Sequence, residues 1–186
     1  MRILVTGAAG AGATTLGSAL ARQWGCRHLD TDDYFWFPSS PPYQRKRTEA
    51  TRVRMLTLDL FEAPDAVVSG SMMNWGSRLE DAFDLIVFLR VPTAVRLARL
   101  VRRDLERFGK SDPVFLRWAS RYEEGPPQGR SYAQHAAWLA QRSAPVLRIE
   151  GDSATEASAD LVIKAIAAIP TPPSTAASSP PAAASR

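Results

Sequence analysis

Cysteine occurs once in the 186 residues, at Cys26, so no intrachain disulfide can form and a reducing, cytoplasmic setting is expected. No Cys-His pattern surrounds Cys26, which therefore reads as a small buried hydrophobe. Histidine occurs twice, at His28 and His135, neither in metal-ligand spacing, and both read as structural. Lysine is nearly as scarce: Lys46, Lys110 and Lys164 are the three among 23 basic residues. The net charge of +4 is therefore carried almost wholly by arginine. Arginine keeps its charge when partly buried and grips phosphate with a bidentate fork; a GC-rich genome would enrich it equally well. No apolar run approaches the roughly 20 residues a membrane helix needs. The N-terminal apolar stretch breaks at Gly7, so no signal peptide is expected. No RNA-binding motif or basic low-complexity arm is present, so no nucleic-acid partner is expected.

What is present is alternation. With 45% hydrophobic and 23% charged residues, the composition suits one soluble domain with a real core. "RILVT" (2 to 6) reads as a strand, and Leu16, Leu20 and Trp24 mark a helix stopping near Gly25. "RHLDT" (27 to 31), "DAVVSG" (65 to 70), "FDLIVFLRV" (83 to 91) and "PVLRIE" (145 to 150) read as further strands. "YFWFPSSPPY" reads as a loop, because its prolines forbid regular structure. Val53, Leu56 and Leu60 stripe a helix from Thr48 to about Phe61. Pro92 is expected as the first residue of a helix reaching about Arg107, and Asp112-Pro113 starts another. Ser153 and Glu156 are expected to form a capping box on the last helix, ending near Ile169. Near-continuous apolar strands separated by helices imply a mainly parallel, doubly wound α/β domain over residues 1–169. Residues 170–186, rich in Pro, Ser and Ala, are expected to be a disordered tail.

The chemistry begins at "VTGAAGAGATTLG" (5 to 17). A triphosphate loop reads G-x-x-x-x-G-K-S/T, and Gly7 and Gly12 keep that spacing, but the lysine position holds Ala13. The same stretch also reads T-G-x-x-G-x-x-A, close to a dinucleotide-binding start, for which Asp30 or Asp32 would serve the ribose. Three observations weigh against that second reading. A reductase of the extended short-chain type would need Tyr with Lys four residues later, whereas Tyr34, Tyr43, Tyr122 and Tyr132 are followed there by Pro38, Arg47, Pro126 and Ala136. The ordered chain is short for that family. Thr14 and Thr15 stand where a triphosphate loop offers its hydroxyl to Mg²⁺. The triphosphate reading makes Gly7, Ala8, Ala9, Gly10, Ala11, Gly12, Ala13, Thr14 and Thr15 a cradle of amides at a helix N-terminus.

"HLDTDDYFW" (28 to 36) resembles the Asp-x-Asp after the second strand in shikimate kinase and gluconate kinase, small-molecule members of the P-loop kinases related in fold to adenylate kinase. "VVSG" (67 to 70), then "VFLRVPTAVRLARLVRRDLERFG" (87 to 109), are similar in order to their third strand and arginine-bearing lid. The resemblance covers residues 1 to about 168 and implies a three-layer sandwich: a five-stranded, mainly parallel sheet flanked by helices, with a helical lid. It further implies ATP and Mg²⁺ as cofactors and transfer of the γ-phosphoryl to a small-molecule hydroxyl or phosphate. By position, Asp30 would hold Mg²⁺ with Thr14, and Asp32 would orient or deprotonate the acceptor. Asp33, Tyr34, Arg52, Gly70 and Ser71 would line the acceptor site, with Asn74 and Trp75 close by. A polar turn with helix capping is the plainer account of Asp30 to Asp33.

Arg96, Arg99, Arg103 and Arg107 fall within about 80° of one helix face. Either they form a solvated mixed-charge face with Asp104 and Glu106, or some close over the nucleotide; Arg99 and Arg103 are the candidates for that catalytic role. Ala13 cannot neutralise charge as the phosphoryl group leaves. A lid arginine, or Arg130, would have to replace the ammonium; otherwise the protein binds nucleotide with little transfer. The run Tyr34 to Phe37 either stacks on an aromatic acceptor or lids the core.

Overall fold

A computed structural model describes residues 1–40, 42–125 and 130–169. The expected tail, 170–186, and Pro41 within the expected loop lie outside the described residues.

Five strands form one sheet: β1 (Arg2–Gly7), β2 (Arg27–Asp30), β3 (Ala66–Ser69), β4 (Leu85–Arg90) and β5 (Val146–Glu150). Their spatial order is β2-β3-β1-β4-β5, and every pairing is parallel. The dinucleotide fold runs 3-2-1-4-5-6, with the second strand against the first. Here β3 lies between them, so the architecture sides with the triphosphate reading. Helices cover both faces: α1 (Ala13–Trp24), α2 (Thr31–Phe35), α3 (Glu49–Glu62), α4 (Ser77–Glu80), α5 (Thr93–Phe108), α6 (Pro113–Ser120), α7 (Tyr132–Leu139) and α8 (Thr155–Ala167).

Two apolar layers follow from strand alternation. Leu4, Val68, Ile86 and Phe88 point to one face and pack with Leu56, Leu60 and Trp138. Ile3, Val5, Val67, Val87 and Leu89 point to the other and pack with Leu16, Leu20 and Val162. Covering on both faces is why β1, β3 and β4 carry no alternating polar residues.

Three local expectations are corrected, and one short helix was not expected. The stretch expected as loop begins with helix: Asp30 accepts from the Asp32 amide at 3.0 Å as N-cap of α2. Asp32 and Asp33 in its first turn complement the helix dipole, which extends the turn to Phe35. Pro92 is the extended N-cap of α5 (φ −52°, ψ 141°), one residue outside the helix. The capping box of α8 does not form: the N-cap is Ala154, without a side-chain bond. The short α4 has no apolar stripe of its own to announce it. Elsewhere the capping is chemically explicit. Thr48, Asp112 and Ser131 accept from the amides of Thr51 (3.3 Å), Val114 (2.8 Å) and Gln134 (3.2 Å).

Candidate active site

All strands being parallel, their C-terminal ends open on one edge, and the loops leaving β1, β2 and β3 meet there with α5. The β1–α1 loop carries Gly10 at φ +80° and Gly12 at φ +97°, left-handed positions that suit glycine. Gly12 caps α1 without any side-chain bond, so the helix's positive end faces the loop directly. The loop is folded tightly: the Ala11 amide donates to Ala8 O at 3.0 Å, and both alanines are buried. A Cβ on Gly10 would lie 2.6 Å from Arg96 O, so the loop packs down on α5. Ala13 is half-buried, while Thr14 and Thr15 are exposed to the cleft.

Arg96 braces this loop. It is fully buried and donates to Ala9 O (3.1 Å), Val91 O (3.1 Å), Ala119 O (3.3 Å) and Thr93 Oγ1 (2.9 Å). Burial lowers its pKa, but guanidinium stays charged in proteins. Arg96 therefore serves the structure and is not free to reach a ligand. Arg99 donates to Ala11 O at 3.2 Å and pairs with Asp152. Arg103 pairs with Asp104 at 2.7 Å. Both candidate lid arginines line the cleft, each already holding a carboxylate. Arg130 differs: among the described residues it makes no hydrogen bond or ion pair, and its guanidinium lies 5.5 Å from the Trp118 ring centroid. Burial lowers its pKa, and the field of Asp32 opposes that shift.

At the end of β2, Asp30 Oδ2 accepts from Thr14 Oγ1 (2.7 Å) and from Ser69 Oγ (3.2 Å). His28 Nε2 lies 2.9 Å from Ser69 Oγ, extending this chain into the sheet. Burial lowers the His28 pKa, against the fields of Asp30 and Asp33. Asp32 is exposed on the cleft wall, yet desolvation by that wall raises its pKa; Asp30 adds to the rise and Arg130 opposes it. Asp33 is likewise raised, by desolvation and then Asp30.

Thr14 and Asp30 offer only hard oxygen donors side by side. Mg²⁺ takes one or two carboxylates and fills its remaining positions with water and substrate phosphates. Among the described residues there is no cluster of three or more His, Cys, Asp or Glu that could enclose an ion. The donor set thus fits a magnesium ion shared with a phosphate chain, and does not fit a closed protein cage.

The acceptor candidates separate. Gly70 and Ser71 line the cleft beyond β3, as do Asn74 and Trp75. Arg52 stands behind them, its guanidinium 4.7 Å from the Phe35 ring and 5.1 Å from the Trp75 ring, donating to Asn74 O at 3.0 Å. Tyr34 is not brought to the cleft. It is buried in the core, and its hydroxyl donates to Asp59 Oδ2 at 2.6 Å on α3. The reason is helical: α2 turns residue 34 away from the face that carries Asp33. Beyond α2 the chain doubles back as a flap, with Phe37 N to Arg45 O and Arg47 N to Phe35 O both at 2.8 Å. Trp36, Tyr43 and Lys46 of this flap line the cleft.

Glu80 escaped sequence reasoning altogether. It is buried, accepts from the amides of Trp75 (2.9 Å) and Gly76 (3.2 Å) and from Trp138 Nε1 (2.7 Å), and lies 3.1 Å from Arg142 Nη1. It fixes the Trp75–Gly76 turn beside the cleft. No local pattern distinguishes it from a surface glutamate.

A family model described as an AAA domain matches residues 3–112. The uncharacterized protein YqaC of Bacillus subtilis (strain 168) is 37% identical over 171 residues, covering 87% of this chain and 94% of that protein. Among solved structures, a shikimate kinase from Acinetobacter baumannii in complex with shikimate is similar with TM-score 0.56 at 16% identity, over 89% of this chain and 92% of that one. A gluconokinase from Sinorhizobium meliloti 1021 is similar with TM-score 0.54 at 17% identity, over 89% and 91%. At those identities the likeness is one of fold, the P-loop small-molecule kinase fold.

Proposed function

Since the chain belongs to the AAA domain family and has the fold of P-loop small-molecule kinases, we propose that it is an ATP-dependent phosphotransferase acting on a small-molecule hydroxyl or phosphate. The supporting observation is the contact of Thr14 with Asp30 at 2.7 Å, beside the glycine loop and within the cleft that also holds Asp32 and Arg130. The loop amides from Gly7 to Thr15 hold the β- and γ-phosphates, helped by the open N-terminus of α1. Thr14 and Asp30 would hold Mg²⁺, which supplies neutralisation of phosphate charge. The acceptor oxygen attacks the γ-phosphorus, the bond to the β-phosphate oxygen breaks, and ADP departs. Asp32 takes the acceptor proton, and the desolvation that raises its pKa strengthens it as a base. Arg130 supplies the cation absent at Ala13, with Arg103 along the same cleft. Arg99 holds the loop's outer carbonyls, leaving its amides aimed inward. Asp33, Gly70, Ser71 and the Arg52-backed wall shape the acceptor site. The single cysteine fits a reducing, cytoplasmic setting.

Ala13 favours a second reading, a nucleotide-binding module with little turnover, because the ammonium that accelerates transfer is missing. Calorimetry with Mg·ATP, followed by ADP release over a panel of hydroxyl acceptors, separates the two. Turnover lost in Asp32→Asn and Arg130→Ala with binding retained supports the kinase. Binding without turnover on every acceptor supports the module. No heat with any Mg-nucleotide, in folded protein, removes both.

A further inference from the structure

Four side chains lining the cleft form a continuous stack. The Arg103 guanidinium lies 6.0 Å from the Phe115 ring centroid, Phe115 and Trp118 are stacked at 5.8 Å with planes 23° apart, and the Arg130 guanidinium lies 5.5 Å from the Trp118 ring. All four line the cleft that holds the glycine loop and Asp32. The rings come from one turn of α6, residues i and i+3, which places both on the same helix face. That helix is held in place from below: Arg96 donates to Ala119 O, tying α6 to α5 and to the glycine loop.

The two ends of the stack differ. Arg103 has Asp104 as a carboxylate partner, at 2.7 Å. Arg130 makes no hydrogen bond or ion pair among the described residues; its guanidinium lies against the Trp118 ring, with Asp32 and Tyr122 acting on it through their fields. A long arginine side chain has much rotamer freedom to lose. A guanidinium with no acceptor would wander unless an apolar surface held it, and ring faces hold it without consuming its donors. Among the described residues nothing takes up the N–H groups of Arg130, while the Trp118 ring sets its position.

Resting on the phosphoryl-transfer reading of this same cleft, we infer that Phe115 and Trp118 are positioning residues that hold Arg103 and Arg130 at a fixed separation across the path of the transferred phosphoryl group. The ring pair does for a loop lacking lysine what a short backbone-anchored ammonium does elsewhere: it places positive charge before the reaction starts, so that none of the ordering falls on the transition state. Ground-state nucleotide, held mainly by loop amides, is nearly indifferent to the stack. The transferring phosphoryl group is not.

The test uses the full chain and two probes, Mg·ADP alone and Mg·ADP with aluminium fluoride, which occupies the place of the phosphoryl group in flight. Trp118→Leu is expected to weaken the aluminium fluoride complex by about tenfold or more, the loss of one desolvated cation–ring contact, while changing Mg·ADP affinity by less than about threefold. Trp118→Phe, which keeps a ring, restores the difference. Phe115→Leu, at a half-buried position, gives a second and milder loss should Trp118→Leu fail to fold. Equal affinities for the fluoride complex in the parent, Trp118→Leu and Phe115→Leu overturn the positioning role while leaving nucleotide binding intact. A parent that binds no Mg·ADP overturns the underlying reading and this inference with it.

Discussion

The Tyr122 hydroxyl lies 2.6 Å from His135 Nδ1, in a buried pair. Burial, helped by the charge of Arg130, pushes His135 down to about 4, so the imidazole is neutral in the fold. Burial also raises the Tyr122 pKa, leaving its proton in place to donate. An unfolded histidine titrates near 6.5, so its neutral form is favoured by folding and the benefit is complete above that pH. As pH falls the unfolded chain takes up the proton first, and stability declines by about 1 kcal/mol at pH 5.5 and about 3 kcal/mol at pH 4. Urea unfolding of the parent and His135→Gln across that range checks this. Subtraction removes the contribution of the carboxylates, and the two curves are expected to converge on acidification. Parallel curves would mean that His135 is not held neutral.

Glu80 is a buried carboxylate whose two oxygens serve two backbone amides, an indole and an arginine. Removing it leaves those donors and the Arg142 charge without a partner. Glu80→Ala is therefore expected to cost about 3–5 kcal/mol, and Glu80→Gln less, since one oxygen survives. Denaturant titration measures both. A loss below about 1 kcal/mol in Glu80→Ala would show that water replaces the carboxylate readily.

Gly10 and Gly25 make a controlled comparison. Both have positive φ, +80° and +64°, but a Cβ on Gly25 meets nothing within 4 Å. Gly25→Ala is expected to cost about 1 kcal/mol, the left-handed penalty alone. Gly10→Ala adds a collision with Arg96 O and should lose Mg·ATP binding as well as stability. Thermal unfolding with and without Mg·ATP reads both effects. Retained nucleotide stabilisation in Gly10→Ala would place the phosphates elsewhere.

Ala13→Lys restores the residue type the loop lacks. If Arg130 supplies the missing charge, Arg130→Ala should lower turnover by about 10³-fold, the lower end of what a phosphate-directed arginine contributes. Ala13→Lys should then recover part of that loss in the double variant, while adding little to the parent. Single-turnover ADP formation on an accepted substrate is the measurement. Full additivity of the two changes would mean that the groups act independently.

Elements governed by local chemistry were legible in the sequence. β1 and β4 were visible as unbroken apolar runs, and α1 and α3 through their stripes and terminal Gly25 and Thr48. Together with the order of its motifs, they carried the fold. Other features depend on distant partners. Arg96 looked like one member of an arginine stripe; only the approach of the glycine loop and of Ala119 makes it a buried brace. Tyr34 sat beside Asp33 in sequence, but α2 turned it into the core toward Asp59. Glu80 acquires meaning from Trp138 and Arg142, about sixty positions away, and the ring pair on α6 from Arg103 and Arg130, outside its own helix. The expected cap at Ser153 failed because the chain enters α8 one residue later, at Ala154.

The strand order carries a consequence for the nascent chain. β1 is synthesised first but lies in the middle, and its neighbours β3 and β4 emerge some sixty and eighty residues later. The cleft draws on segments from Gly7 to Ser158, so it is whole only after β5, one of the two edge strands, has been made. A chain halted after residue 112 would carry the glycine loop and Asp30 but neither α6 nor Arg130, and a protease cutting between those points would part the two sides of the cleft.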